Sequence, residues 1–155
     1  MNVYYVTNKQ PISHNGSGSS SRRKQEFKDD FNATYGHLYV GLPIKNKTLQ
    51  SNIVYIHQQR PGNIPDVDNL SKPMVDAFSG VIYEDDRQII RRSASIIELK
   101  DFDIVSVDAT NMPVEIFEAF EDYYERKETN IVFFEVGEFD VSQIKVGELW
   151  YEIRN

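Results

Sequence analysis

Cysteine is missing altogether from the 155 residues. Disulfides, thiol nucleophiles and thiolate zinc sites are therefore excluded. Long apolar runs are missing too: nothing approaches the ~18 residues that a membrane-spanning helix requires, so no membrane partner is expected. The start, Met1-Asn2-Val3-Tyr4-Tyr5, has no basic region followed by an apolar segment. No secretory signal is expected, and the expected location is the cytoplasm. Histidine is scarce, and His14, His37 and His57 stand apart from one another; His57 is expected as a half-buried or pocket-edge residue rather than a metal ligand. The glycine- and serine-rich stretch at residues 13–21 has neither a preceding strand nor a closing Gly-Lys-Ser/Thr, which excludes a phosphate-cradling P-loop. No internal repeat is visible.

What is present fits one globular domain over residues 1–155. Hydrophobic residues make up 40% and aromatic residues 12% of the chain, enough for a real core. The formal net charge of −7 is unevenly spread: residues 1–97 hold 12 Lys/Arg against 9 Asp/Glu, and residues 98–155 hold 5 against 15. A basic front and an acidic back are compatible with a polyanion approaching one face only.

Residues 13–24 read as a flexible loop with a basic tip at Arg22-Arg23-Lys24. A short helix is expected over Gln25–Phe31, and a strand over Leu38–Ile44 with a bulge at Gly41. Asn52–Gln59 alternates as a strand and runs into a Pro/Gly loop at residues 60–65. The spacing of Leu70, Met74, Val75, Ala77 and Phe78 predicts a helix over 69–79, with Pro73 near its start or at a kink and Gly80 just past its end. Val81–Asp85 is expected as extended, Gln88–Leu99 and Ile131–Val136 as strands, and Pro113–Lys127 as an amphipathic helix. Ile144–Ile153 is expected as a further strand or a docking segment. The fold class is α+β, a mixed sheet packed by helices.

The most informative stretch is Asp66-Val67-Asp68-Asn69-Leu70-Ser71-Lys72, answered by Asp85-Asp86. Crowded carboxylates repel and take a cation between them. A metal held by acidic oxygens beside a lysine is equipment for phosphate chemistry. A helix of ~11 residues spans about 16 Å, and about five extended residues return that distance. Turning at Gly80, the chain is expected to bring Asp85 and Asp86 back beside Asp66 and Asp68. Only one of Asp85 and Asp86 should face the site, because neighbours in an extended segment point oppositely. Lys72, one helical turn from Asp68, reaches the same pocket or pairs with Asp68 or Asp76.

Residues 61–92 carry a fuller pattern: Asp66-x-Asp68-Asn69-x-x-Lys72-x-x-x-Asp76-x-Phe78, a short gap, then Asp85-Asp86-x-Gln88. This pattern resembles the RusA family, small and often prophage-encoded Holliday-junction resolvases. The resemblance implies a homodimer that binds four-way DNA junctions and makes paired nicks with Mg²⁺. Asp66, Asp68, Lys72 and Asp86 match the family's essential catalytic positions. Asp66, Asp68 and Asp86, with Asp85 beside them, match its metal-binding acids, and Mn²⁺ is a possible substitute. Arg22, Arg23, Lys24, Arg60, Arg91 and Arg92 are the candidate DNA-phosphate contacts, with Arg91 and Arg92 on opposite faces of one strand. The alternatives are a phage-type DNA-binding or interaction protein that keeps the fold with little turnover, and a nucleotide-sugar transferase using Asp-x-Asp. The chain is short for the transferase and lacks a recognisable nucleotide-binding half.

Overall fold

The computed structural model describes residues 1–12, 20–58, 64–100, 103–146 and 149–150. In chain order its elements are β1 (Val3–Thr7), α1 (Ser20–Thr34), β2 (Leu49–His57), α2 (Val67–Phe78), β3 (Ile89–Glu98), α3 (Val114–Glu125), β4 (Asn130–Glu138), β5 (Lys145–Val146) and β6 (Leu149–Trp150). Four strands form one sheet in the order β1-β4-β2-β3. β4 runs antiparallel to both β1 and β2, whereas β3 runs parallel to β2. Parallel neighbours need a crossover, and α2 supplies it. β5 and β6 pair apart from this sheet, in the region expected as a strand or docking segment. The chain is a single α+β domain with a four-stranded mixed sheet and three helices among the described residues, the class its composition and periodicity predict.

One face of the sheet holds the aromatic core. Tyr5, Phe134 and Ile53 sit side by side in register. Phe27, Phe31 and Tyr35, spaced one helical turn apart, surround the Tyr5 ring at centroid distances of 6.2, 5.9 and 5.9 Å. From α2, Phe78 meets Tyr5 edge-on at 5.3 Å and stacks on Phe134 at 5.0 Å. Such pairs add to the burial of their large apolar area. α3 packs against β1, and its Phe120 reaches Phe133 on the other face at 5.0 Å. Val105, Val107 and Met112 also border that face, along a groove of about 530 Å³. Among the described residues no helix is long and apolar enough to cross a membrane.

Four expectations need correction. Leu38–Ile44 forms no strand: Gly36–Leu38 is a 3-10 turn, and only Ile44 makes a bridge, to Tyr83. Gly41 at φ +88° breaks the extended path, and Pro43 has no N–H for a ladder. The helix expected over Gln25–Phe31 extends over Ser20–Thr34, so Arg22, Arg23 and Lys24 lie on a helix rather than in a loop; residues 13–19 lie outside the described residues. Val81–Asp85 is not extended throughout, for reasons given below. Pro73 is interior to α2, the seventh of its 12 residues.

Candidate active site

α2 is built to be half buried. Leu70, Met74, Ala77 and Phe78 are fully buried, and the opposite stripe carries Asp68, Lys72 and Asp76 at four-residue spacing. Four-residue spacing stacks side chains along one face. The helix ends where Gly80 adopts φ +79°, the left-handed conformation that glycine takes at little cost. The chain then doubles back tightly: the amides of Val81 and Ile82 both donate to the Phe78 carbonyl, and that of Gly80 to the Tyr83 carbonyl. The Tyr83 hydroxyl, buried in the core, donates to the Val75 carbonyl.

This compact turn determines which groups meet. The residues reserved for an extended return are partly used in the turn, so the chain climbs only to the middle of α2. Asp86 arrives beside Lys72, whose ammonium donates to Asp86 Oδ2 at 3.0 Å and to Asp76 Oδ1. Lys24, from α1, approaches the other oxygen of Asp76 at 3.4 Å. Lys72, Val75, Asp86, Ile89 and Arg92 line a shallow cavity of about 190 Å³. Hydrogen bonds to Asp76 and Asp86 hold the Lys72 pKa above the ordinary lysine value. Burial alone would push the Asp76 carboxyl up, but Lys72 and then Lys24 outweigh it, and the net shift is downward.

Asp66 and Asp68 are exposed at the start of α2. Asp66 occupies the N-cap position without making a side-chain capping bond. Six residues at 1.5 Å rise put Asp66 about 9 Å along the axis from Lys72, on the side away from the turn at Gly80. Asp68 lies one turn from Lys72 on the same face. Among the described residues no three acidic or histidine side chains are grouped closely enough to hold one metal ion. The expected grouping of Asp66, Asp68 and Asp86 is not seen among the described residues; Asp86 meets Lys72 instead.

Asp85 and Asp86 engage different cations. Asp85 caps the 3-10 turn Asp86–Gln88: its carboxylate accepts from the Arg87 amide, and the Gln88 side chain accepts from the Asp85 amide. It also accepts three bonds from the Arg87 guanidinium, which with the capping bond hold its carboxyl well below the usual range. The Gln88 side chain reaches on to the carbonyls of Ile44 and Lys47. The Gln of the Asp-Asp-x-Gln pattern thus fastens the return strand to the loop before β2.

Of the expected DNA contacts, Arg92 borders the Lys72 cavity, while Arg91 faces the other side of the sheet with Gln50 and Ser93. Arg22 is exposed and pairs with Glu26. Arg23 folds back, donating to the Gln10 carbonyl and lying 5.9 Å over the Phe27 ring. Arg60 lies outside the described residues. His57 is 3% exposed, with Nδ1 lacking a hydrogen-bond partner among the described residues, more buried than its strand position predicts. Asp76 is expected only as a pairing partner of Lys72 and Lys24 only as a DNA-phosphate contact; that the two meet is not foreseen from the sequence. The signal for Asp76 lies in its i, i+4 spacing from Lys72; pairing with Lys24, 52 residues earlier, has no local signature.

The family profile described as endodeoxyribonuclease RusA matches residues 20–112, from the first residue of α1 to the segment before α3. No curated protein matches the chain. The match covers more than half of the sequence and takes in every residue of the Lys24–Asp76–Lys72–Asp86 constellation, as well as Asp66 and Asp68. The chain belongs to the RusA family of endodeoxyribonucleases.

Proposed function

We propose that the protein is a divalent-metal-dependent endodeoxyribonuclease that resolves four-way DNA junctions by paired phosphodiester hydrolysis, acting as a homodimer. The observation that carries this reading is the Lys72 ammonium fixed between Asp76 and Asp86 in an open cavity shared with Arg92. Two cations facing one cavity suit a phosphodiester. The family match supports nuclease chemistry and branched DNA as the substrate class.

Asp66, Asp68 and Asp86 are the acids that would hold Mg²⁺ or, in its place, Mn²⁺, once drawn closer together than they stand here. Carboxylate oxygens are the donors that such hard cations take, and the carboxylates of Asp66 and Asp68 are exposed, that of Asp66 making no capping bond. Asp85 fits less well, since Arg87 and the turn already occupy its carboxylate. When bound, the cation supplies charge neutralisation at the scissile phosphate and a more acidic water. Lys72 donates to the phosphate oxygen on which negative charge grows; a donor fixed in advance needs no reorganisation as that charge develops. Arg92 and Lys24 bind neighbouring phosphates, and Arg22 extends the positive track. A four-way junction presents strands in symmetry-related pairs, and a two-fold pair of subunits offers two sites to match.

The test is incubation of the chain with labelled four-way junction and with linear duplex, with and without Mg²⁺. Paired, symmetric nicks in the junction alone, dependent on Mg²⁺, are the expected result. Indiscriminate nicking would reduce the reading to a general nuclease. Retention of DNA with no cleavage of either substrate in Mg²⁺ would replace it with a DNA-binding module.

A further inference from the structure

Asp76 is the carboxylate through which α1 and α2 meet at the site. Its Oδ1 accepts from Lys72, one turn earlier on its own helix, and its Oδ2 faces Lys24 at 3.4 Å across the helix pair. The side chain of Asp76 is 22% exposed, against 42% for Lys72, 36% for Asp86 and 28% for Lys24. Asp76 is the least exposed of the four, and Lys72 the most.

We propose that Asp76 is a positioning residue for phosphodiester hydrolysis: each of its oxygens holds one lysine, so that Lys72 and Lys24 stand together against adjacent DNA phosphates. A lysine ammonium rides on a flexible four-carbon stem and is a poor fixed donor by itself. With both oxygens engaged, the carboxylate plane is set, and each stem is confined at its charged end. Lys72 is held from two sides, by Asp76 and Asp86, and serves the scissile phosphate. Lys24 is held by Asp76 and serves a flanking phosphate, which makes the first turns of α1 part of the substrate track. On the nuclease reading above, on which this role rests, loss of the Asp76 charge releases Lys24 and leaves Lys72 held from one side only, by Asp86, without removing either lysine.

The experiment uses the full chain and its Asp76→Asn, Asp76→Glu, Lys24→Ala, Lys72→Ala and Lys72→Ala/Asp76→Asn variants. For each, the single-turnover cleavage rate, the junction Kd and its salt dependence, and the thermal midpoint are measured. Asp76→Asn is expected to slow cleavage by about 10- to 100-fold, as loss of a group that orients a catalytic one does, with Kd changed by less than about three-fold. Asp76→Glu, which keeps the charge, restores part of the rate. In the Lys72→Ala background, adding Asp76→Asn changes the rate by less than about two-fold, because coupled residues are not additive. Lys24→Ala weakens junction binding and lowers the salt slope by about one phosphate contact. An Asp76→Asn enzyme cutting at the unmodified rate, or a full multiplicative loss in the Lys72→Ala background, overturns the role of Asp76. An unchanged salt slope for Lys24→Ala overturns that of Lys24, and this variant leaves the carboxylate intact should Asp76→Asn fail to fold. An unmodified chain that cuts no DNA with Mg²⁺ or Mn²⁺ sinks the nuclease reading itself, an outcome distinct from a cutting chain indifferent to Asp76→Asn.

Discussion

Asp66 and Asp68 differ from Asp76 and Asp86 in what the protein itself asks of them. The latter pair binds Lys72; the former is exposed at a helix start, where the macrodipole favours negative charge. Replacing Asp66 or Asp68 by Asn is therefore expected to leave folding intact and to lower single-turnover cleavage of a four-way junction by at least ~100-fold, as loss of a ligand to a catalytic cation does. Junction binding measured by gel retardation should stay similar or tighten, since a negative charge near the phosphates is removed. A variant that cleaves at the unmodified rate in Mg²⁺ contradicts the assignment. Lys72→Ala should lower the rate more than the affinity, and it leaves Asp76 and Asp86 facing each other without the cation between them. Part of this was legible from residue spacing: the i, i+4 pair Lys72–Asp76 follows from helix periodicity, whereas the separate partners of Asp85 and Asp86 come from a capped 3-10 turn rather than an extended segment. The height at which Asp86 joins α2 was not, because it depends on backbone bonds between Phe78 and Tyr83 that no side-chain pattern announces.

Elements were readable in proportion to how plainly one face was buried. α3, with Ile116 and Phe120 inward and glutamates outward, begins and ends within two residues of its expected span. α1 shows few apolar positions, and among its described side chains only the Phe27–Phe31 pair is fully buried, so its first turns, rich in serine and arginine, read as loop. β1 is absent from the expected strands because all five of its residues are buried and carry no alternation; its β-branched and aromatic content was the available signal. The glycine after α2 was legible, and it makes a clean test. A Cβ at Gly80 would meet nothing within 4 Å, yet φ is +79°, so Gly80→Ala should cost only backbone strain, about 1 kcal/mol, read as a lower denaturant midpoint with an unchanged slope. Equal stability would mean that the turn relaxes. β3 gives a second test. Arg92 borders the Lys72 cavity and Arg91 the opposite face. Arg92→Ala should weaken junction binding and lower the salt slope by about one, whereas Arg91→Ala should leave that slope unchanged. Equal effects would place DNA on both faces.

The whole molecule depends on strands from its two ends: β4, near the C-terminal end of the described sheet, lies between β1 and β2, beyond the span of the family match at residues 20–112. Such long-range pairing leaves no local trace in sequence, which is why the sheet order was not legible while the fold class was. The same assembly separates charge. α3, with its exposed glutamates, packs against β1 at the edge opposite β3, so these glutamates stand away from Lys72 and Arg92. Joining the two ends of the chain also buries several phenols, and their protons report on the fold. Burial pushes Tyr39 and Tyr55 up to about 12, and Tyr5 and Tyr83 are also raised well above the ordinary phenol value, again chiefly by burial. In an unfolded chain these groups ionise near pH 10. Above that pH the folded state binds more protons than the unfolded one, so unfolding is increasingly favoured as pH rises. The stabilisation is fully present below about pH 10 and, for Tyr39 and Tyr55, is lost between about pH 10 and 12. Thermal midpoints should thus be level through neutral pH, apart from effects of other groups, and fall steeply above about pH 10. Tyrosinate absorbance for the buried phenols should rise together with the loss of secondary structure. Tyr55→Phe removes one ionisable group along with its 2.7 Å bond to Asn130 Oδ1; it should lower the midpoint at neutral pH and flatten the alkaline decline. Phenols that all titrate near pH 10 while the sheet stays intact would show that the Tyr5–Tyr39–Tyr55 core is open to water, and the packing described for that face of the sheet would then be wrong.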